Sequence, residues 1–325
     1  MPTWAVTTRS PTASPTSSAC RVRGTSPRSG ADPPVSFAAA RAGGVVDLMV
    51  GLPPAPGDLA WRDSLRPLLK DAESLQGFAH PASYMFKNLP SERFADDPPR
   101  AVLEAMDRHG VTRALIGVAP DDDTAVRALR THPDRFLGAV SVDPNSGTTG
   151  LRALRRGVEE FGVRAAAALP AGVLPPRPVD DPIWFPVYAT CIDLGIPFMP
   201  CMGVPGPRVP FAPQHVMGLD RVCFEFPELV VVTRHGCEPW EELMVKLMVK
   251  WPNLHYSTSA FAPKHYPRAI VEYANTRGAD KVCFAGYFPM GLSYETIFDQ
   301  LPRVGFRDEV WPRFLRSNAE RIFGF

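Results

Sequence analysis

The side chains most able to do chemistry gather after the apolar run Leu229–Val232, where Arg234, His235, Cys237, Glu238 and Trp240 follow within eight residues. An imidazole at a strand end, flanked by ionisable groups, can be poised near neutral pH for general acid–base work. Arg234 can either pair with Glu238 or meet an anionic substrate. Arg208, in the sequence VPGPR, lies on a loop preset by prolines, and a guanidinium held there could clamp a carboxylate through two parallel hydrogen bonds. Lys87, near Tyr84 in SYMFKNLP, could neutralise a negative charge, although a solvated lysine is the commoner case. Cys201 is either a thiol in contact with substrate or a small buried hydrophobe.

Such side chains need a scaffold, and the pattern from Val45 onward supplies one. Short apolar runs at Val45–Val50, Arg113–Val118, Phe136–Val142, Val163–Leu169, Ile196–Met202, Leu229–Arg234, Leu254–Ser259 and Lys281–Gly286 are bounded by Gly, Pro or polar residues, as strands buried on both faces are. Helical segments alternate with them. Pro98–His109 starts after Asp-Asp-Pro and stops at Gly110, and Gly147–Phe161 carries Leu151, Leu154, Val158 and Phe161 on one face. Pro182–Leu194, Gln214–Phe226, Pro239–Trp251, Pro263–Arg277, Ser293–Leu301 and Asp308–Phe323 complete the series. Eight alternations without a G-x-G-x-x-G turn predict a (β/α)8 barrel, an α/β fold of the TIM-barrel type, over an open dinucleotide-binding sheet. The stretch from Gly51 to Asp97 is too long for an ordinary connection and is expected to extend over the barrel mouth.

The 325 residues accommodate one barrel with extensions. Residues 1–44 are rich in Ser, Thr, Pro and Arg without periodicity and read as a disordered leader, so the barrel domain is expected over 45–325. A net charge of +1 gives no reason to expect nucleic acid or a membrane surface as partner, and no apolar run is long enough to span a bilayer. A small-molecule substrate is the expected partner. None of the six cysteines forms a C-x-x-C pair, which suits a cytoplasmic protein better than a disulfide framework or zinc ribbon.

The segment LVVVTRHGCEPW (Leu229–Trp240), with THPDRFLGAVSVDP (Thr131–Pro144), WPNLHYSTSA (Trp251–Ala260), DKVCFAGYFPM (Asp280–Met290) and SNAERIFGF (Ser317–Phe325), resembles the amidohydrolase-related family. That family includes the aminocarboxymuconate-semialdehyde decarboxylase-like enzymes. The resemblance implies a barrel whose divalent metal is held by H-x-H on strand one, His on strand five and Asp on strand eight. At those places stand Met49 and Gly51, Cys201, and Tyr287, while Ala167 and Leu169 replace the K-x-H of strand four. Zinc needs three or four converging N, O or S donors, so these replacements predict no inherited metal and no cofactor. Asp47, just before the lost histidines, is expected to orient the loop backbone.

By this resemblance His235 is a proton-transfer group and Tyr287 a second donor or a filler of the vacated cavity. Arg208, Arg234, Cys201 and Lys87 are candidate substrate contacts, and homodimers are common in the family. The expected activity is hydrolysis or carbon–carbon lysis, such as decarboxylation, of a small carboxylated molecule. A non-catalytic binding or regulatory protein of the same fold is the alternative, and a metal rebuilt on Cys201, Cys237 and His235 is a third reading. Convergence of Arg208, Arg234, His235 and Tyr287 on one mouth separates the first reading from a plugged scaffold.

Overall fold

Eight parallel strands pair in strict sequence order: β1 (Val45–Val50), β2 (Val111–Val118), β3 (Phe136–Ser141), β4 (Val163–Ala168), β5 (Phe198–Pro200), β6 (Val231–Thr233), β7 (Leu254–Ser257) and β8 (Val282–Cys283). They are seen in a computed structural model that describes residues 36–54, 65–77, 83–86, 89–119 and 122–325, all within one compact unit. The seam between β8 and β1 is drawn together by backbone bonds from Leu48 to Phe284, Gly51 to Phe288 and Tyr287 to Met49, of 3.2, 2.8 and 3.0 Å. The result is the expected (β/α)8 barrel.

The strands alternate between two cores, as a period of two requires, except where β1 shifts register between Asp47 and Val50. Val46, Leu48, Leu115, Leu137, Ala139, Ala165, Ala167, Met199, Val232 and Cys283 fill the barrel interior. Val45, Val50, Ile116, Phe136, Val140, Ala166, Phe198 and Val231 face the surrounding helices. Phe323 is buried in the interior cluster with Ile322 and Phe325 against it, at the end of the barrel where the strands begin.

The helices are α1 (Phe37–Ala42), α2 (Ala72–Gly77), α3 (Pro98–His109), α4 (Asp123–Thr131), α5 (Gly147–Phe161), α6 (Phe185–Leu194), α7 (Gly218–Glu225), α8 (Glu241–Lys250), α9 (Arg268–Ala274), α10 (Tyr294–Gln300) and α11 (Asn318–Phe323). Local chemistry sets their ends. Asp97 caps α3 through the Arg100 amide, and Gly110 ends it in the left-handed conformation at φ 72°. The Asp122 carboxylate accepts from the amides of Thr124 and Ala125 at 3.0 Å and starts α4, a helix that the pattern of apolar residues did not disclose. A π-helical stretch, Arg313–Ser317, leads into α11.

Helix α1 corrects the expected leader boundary. Ser36 caps it, the Phe37 ring meets Trp311 edge-on at 4.8 Å, and Arg41 donates to the last carbonyl of α3 at His109 while lying 4.3 Å over the Phe298 ring. Ordered packing therefore begins by Ser36 rather than Val45, and residues 1–35 lie outside the described residues. Among the described residues, no helix is long and apolar enough to cross a membrane.

Candidate active site

The C-terminal ends of β1, β5, β6, β7 and β8 bring Met49, Cys201, Arg234, His235, Ser259 and Tyr287 to one mouth. Backbone bonds hold them there. Arg234 N donates to Pro200 O at 2.9 Å and Met202 N to Arg234 O at 3.1 Å, so Cys201 and Arg234 are bridged neighbours. Gly203, at φ 94°, lets this loop press on the next, because a Cβ there would lie 2.8 Å from the backbone of Cys237 and Glu238. Beyond β6, β7 and β8 the chain adopts left-handed conformations at four non-glycine residues: His235 (φ 65°), Cys237 (60°), Ala260 (70°) and Tyr287 (65°). Each is disfavoured for an L residue, and such strain concentrates where geometry must be imposed on side chains.

His235 is oriented by a residue that sequence reasoning missed. Ser259 Oγ accepts from the His235 amide at 2.9 Å and lies 3.2 Å from its Nδ1. That hydroxyl can donate to Nδ1 or accept from it, and in either role it fixes the plane of the ring. The only sequence signal was the small-hydroxyl run STS on the neighbouring strand. The expectation of an imidazole poised near neutrality is overturned: burial and then the charge of Arg234 push its pKa down to about 3. His235 is a neutral ring at physiological pH.

Tyr287 points into the mouth, its ring 5.4 Å from that of His235 at 82°. Burial pushes its phenol up to about 12, so it stays protonated as a donor. Phe86, from the long insertion, stacks beside Tyr287 at 5.8 Å. The insertion therefore does reach the mouth. Cys201 is buried, and desolvation raises its thiol above the ordinary range despite the opposing pull of Arg234, so a resting thiolate is disfavoured.

Arg208 does not join this group. Its guanidinium bonds Asp71 at 2.8 Å and Glu73 at 2.7 Å and lies 4.9 Å over the Tyr84 ring, while the Tyr84 hydroxyl donates to Gly206 O at 2.7 Å. The predicted carboxylate clamp is instead a latch between the insertion and the loop after β5. The ion pair expected between Arg234 and Glu238 does not form: Glu238 is exposed, and Arg234 Nη2 contacts Met49 Sδ. Trp240 packs on Phe211 and His215, away from the mouth. Lys87 lies outside the described residues.

Asp47 acts on the backbone, as expected. Its fully buried carboxyl accepts from Met49 N at 2.9 Å, Gly286 N at 2.7 Å and the Tyr294 hydroxyl at 3.1 Å, tying β1 to β8. Desolvation outweighs these bonds and raises its pKa to about 7.

Gly51 and Met49 offer a divalent metal no hard donor. A Cβ at Gly51 would meet Met290 at 2.8 Å, so a thioether fills that space, and Met49 brings only a soft sulfur already against a guanidinium. Among the described residues, no three His, Cys, Asp or Glu side chains are placed to share a metal ion. A surface cavity of about 450 Å³ lies at the opposite end of the barrel, but its Arg135 and Arg316 are already paired with Asp107 and Glu320.

The amidohydrolase family profile matches residues 46–325. The chain belongs to the amidohydrolase family. Solved barrels similar to this family member include an uncharacterised TIM-barrel protein of Bordetella bronchiseptica (19% identity, 86% of this chain and 98% of that one, TM-score 0.64). The 5-carboxyvanillate decarboxylase of Novosphingobium aromaticivorans, complexed with manganese and 4-hydroxy-3-methoxy-5-nitrobenzoic acid, is 16% identical over 91% of this chain and 100% of its own, with a TM-score of 0.62. The 4-oxalomesaconate hydratase of Rhodopseudomonas palustris is 18% identical over 86% and 95%, with a TM-score of 0.58. At these identities the likeness concerns the fold. No curated protein matches the chain.

Proposed function

We propose that this amidohydrolase is a lyase-type enzyme that acts on a small aromatic carboxylate, by decarboxylation or by addition and removal of water, using acid–base groups of its own. The carrying observation is the convergence of Arg234, His235 and Tyr287 on one barrel mouth, where barrel enzymes place their chemistry. The ligands of its structural neighbours, aromatic acids among them, favour that substrate class. Hydrolysis fits less well, because without a Lewis acid it lacks an activated water and a polarised carbonyl.

In this reading Arg234 receives the carboxylate and Phe86 with Tyr287 forms an aromatic wall. His235, backed by Ser259, and the protonated Tyr287 are the proton-transfer groups that face the substrate. A bound carboxylate also offsets the charge of Arg234, which raises the basicity of His235 once substrate has arrived.

The test is a panel of hydroxybenzoates incubated with purified protein in the presence of a chelator. A shift of the ring absorbance from the hydroxybenzoate to the corresponding phenol, with release of one carbon dioxide, supports the decarboxylase form of the proposal. A panel turned over only after manganese or zinc is added refutes the metal-free form of it. A second reading, a binding protein without turnover, is favoured by the Met290 thioether filling the space at Gly51; stoichiometric binding with no turnover anywhere in the panel would establish it.

A further inference from the structure

Among the described residues, the guanidinium of Arg234 has no counter-charge. Its Nε is buried and lacks a hydrogen-bond acceptor, and its Nη2 faces only the Met49 sulfur, a weak acceptor. Among the described residues no carboxylate ion-pairs with it, in contrast to Arg135, Arg155, Arg177 and Arg208. The titratable groups around it do not help. Cys201 is held as a thiol, Tyr287 as a phenol and His235 as a neutral ring. Asp47, near in sequence to Met49, already accepts three hydrogen bonds, from Met49 N, Gly286 N and the Tyr294 hydroxyl.

A half-buried cation whose Nε is cut off from water is unfavourable in this state, because that group gives up hydration without gaining a partner. A folded chain keeps such a group where a ligand completes the pair. The planar fork of a guanidinium matches a carboxylate, and the neighbouring surface is aromatic: Phe86 stacked with Tyr287. A metal ion in the same mouth would face like charge at short range, while Met290 fills the space beside Gly51.

We infer that Arg234 is the carboxylate-binding site of the mouth, a built-in cation standing where a divalent metal would otherwise supply positive charge, and that its ligand is an arene carrying one carboxylate, bound without any metal. This deepens the reading of the preceding section and rests on it for the substrate class. Among the described residues the mouth holds one fixed positive charge, which a singly charged anion neutralises.

The experiment is titration calorimetry of benzoate and of benzamide into the full chain in excess chelator. Benzoate is expected to bind at least about tenfold more tightly than benzamide, since only the anion pairs with the guanidinium. Arg234→Met is expected to abolish that preference, and Arg234→Lys to keep part of it. A thermal melt of each variant reports folding, and the benzoate-to-benzamide ratio in the unaltered protein needs no variant at all. Equal binding of the two probes, no benzoate binding up to about 10 mM, or binding that appears only with added manganese each overturns the inference. Benzoate selectivity without turnover of any hydroxybenzoate leaves the carboxylate site standing and removes the enzyme reading alone.

Discussion

The two halves of the barrel are built differently. Strands β1 to β4 run for 6, 8, 6 and 6 residues, whereas β5 to β8 run for 3, 3, 4 and 2. The first half is lined by Val, Leu and Ala and buries one ionisable strand residue, Asp47. The second buries Thr233, His255, Ser257, Thr258 and Ser259, and every left-handed non-glycine residue among those described follows one of its strands. A long regular ladder fixes the backbone but points every side chain along the pleat. A short one releases the chain early, so His235 and Tyr287 can be aimed inward at the expense of local strain. The regular ladder is concentrated in one half and the candidate site in the other.

Substitutions should separate the halves. The largest expected effect is on activity: His235→Asn should lower turnover of whichever carboxylate proves to be substrate by roughly 10²–10⁴. Asn tolerates the left-handed conformation at that position, so the melting curve should move little; a variant that keeps full rate would remove His235 from the mechanism. In the first half the expectation reverses. Leu137→Ala, inside the barrel, should cost about 2–5 kcal/mol in urea unfolding while benzoate affinity stays within about threefold. A comparable loss of affinity in that variant would break the division of labour.

Asp47 joins the two halves, and its signature is in pH. With its folded pKa raised to about 7 from 3.8, the folded state holds a proton that the unfolded state releases between about pH 4 and 7. Its contribution is therefore fully present at low pH and is lost as pH rises through 7. His235 runs the other way: a folded pKa of about 3 gives a contribution present above its ordinary value of 6.5 and lost as pH falls toward 3. Asp47→Asn should remove the first component only, so its stability relative to wild type should climb from pH 4 to 7. A flat difference across a urea series would refute the shift. The smallest effect is expected at Ala260, where glycine relieves a φ of 70° and should stabilise by up to about 1 kcal/mol in the same assay.

The strand positions were legible because buried parallel strands are unbroken apolar runs, and β1 was located to the residue. The ends of β5 to β8 were overestimated: apolar residues such as Met202, Phe284 and Ala285 remain buried after the ladder stops, and burial is what the sequence pattern reports. Helix α4 was missed because its apolar face rests on alanines, and α1 because its six residues are mostly alanine and arginine. At the site, residue types and strand-end placement pointed to His235, Arg234 and Tyr287. The state of the imidazole was not legible, since it depends on burial and on a cation that contact geometry alone sets. Arg208 was misread for a related reason: its partners, Asp71 and Glu73, lie 137 and 135 residues away along the chain.

Helix α1 has a practical meaning for anyone who shortens this chain. Phe37 covers the Trp311 edge, Arg41 closes the end of α3, and the Gly43 carbonyl accepts from Arg316 beside α11. A version trimmed to the first strand would bare an indole and strand a carbonyl that now has a donor, inviting aggregation during expression. Shortened designs should start no later than Ser36.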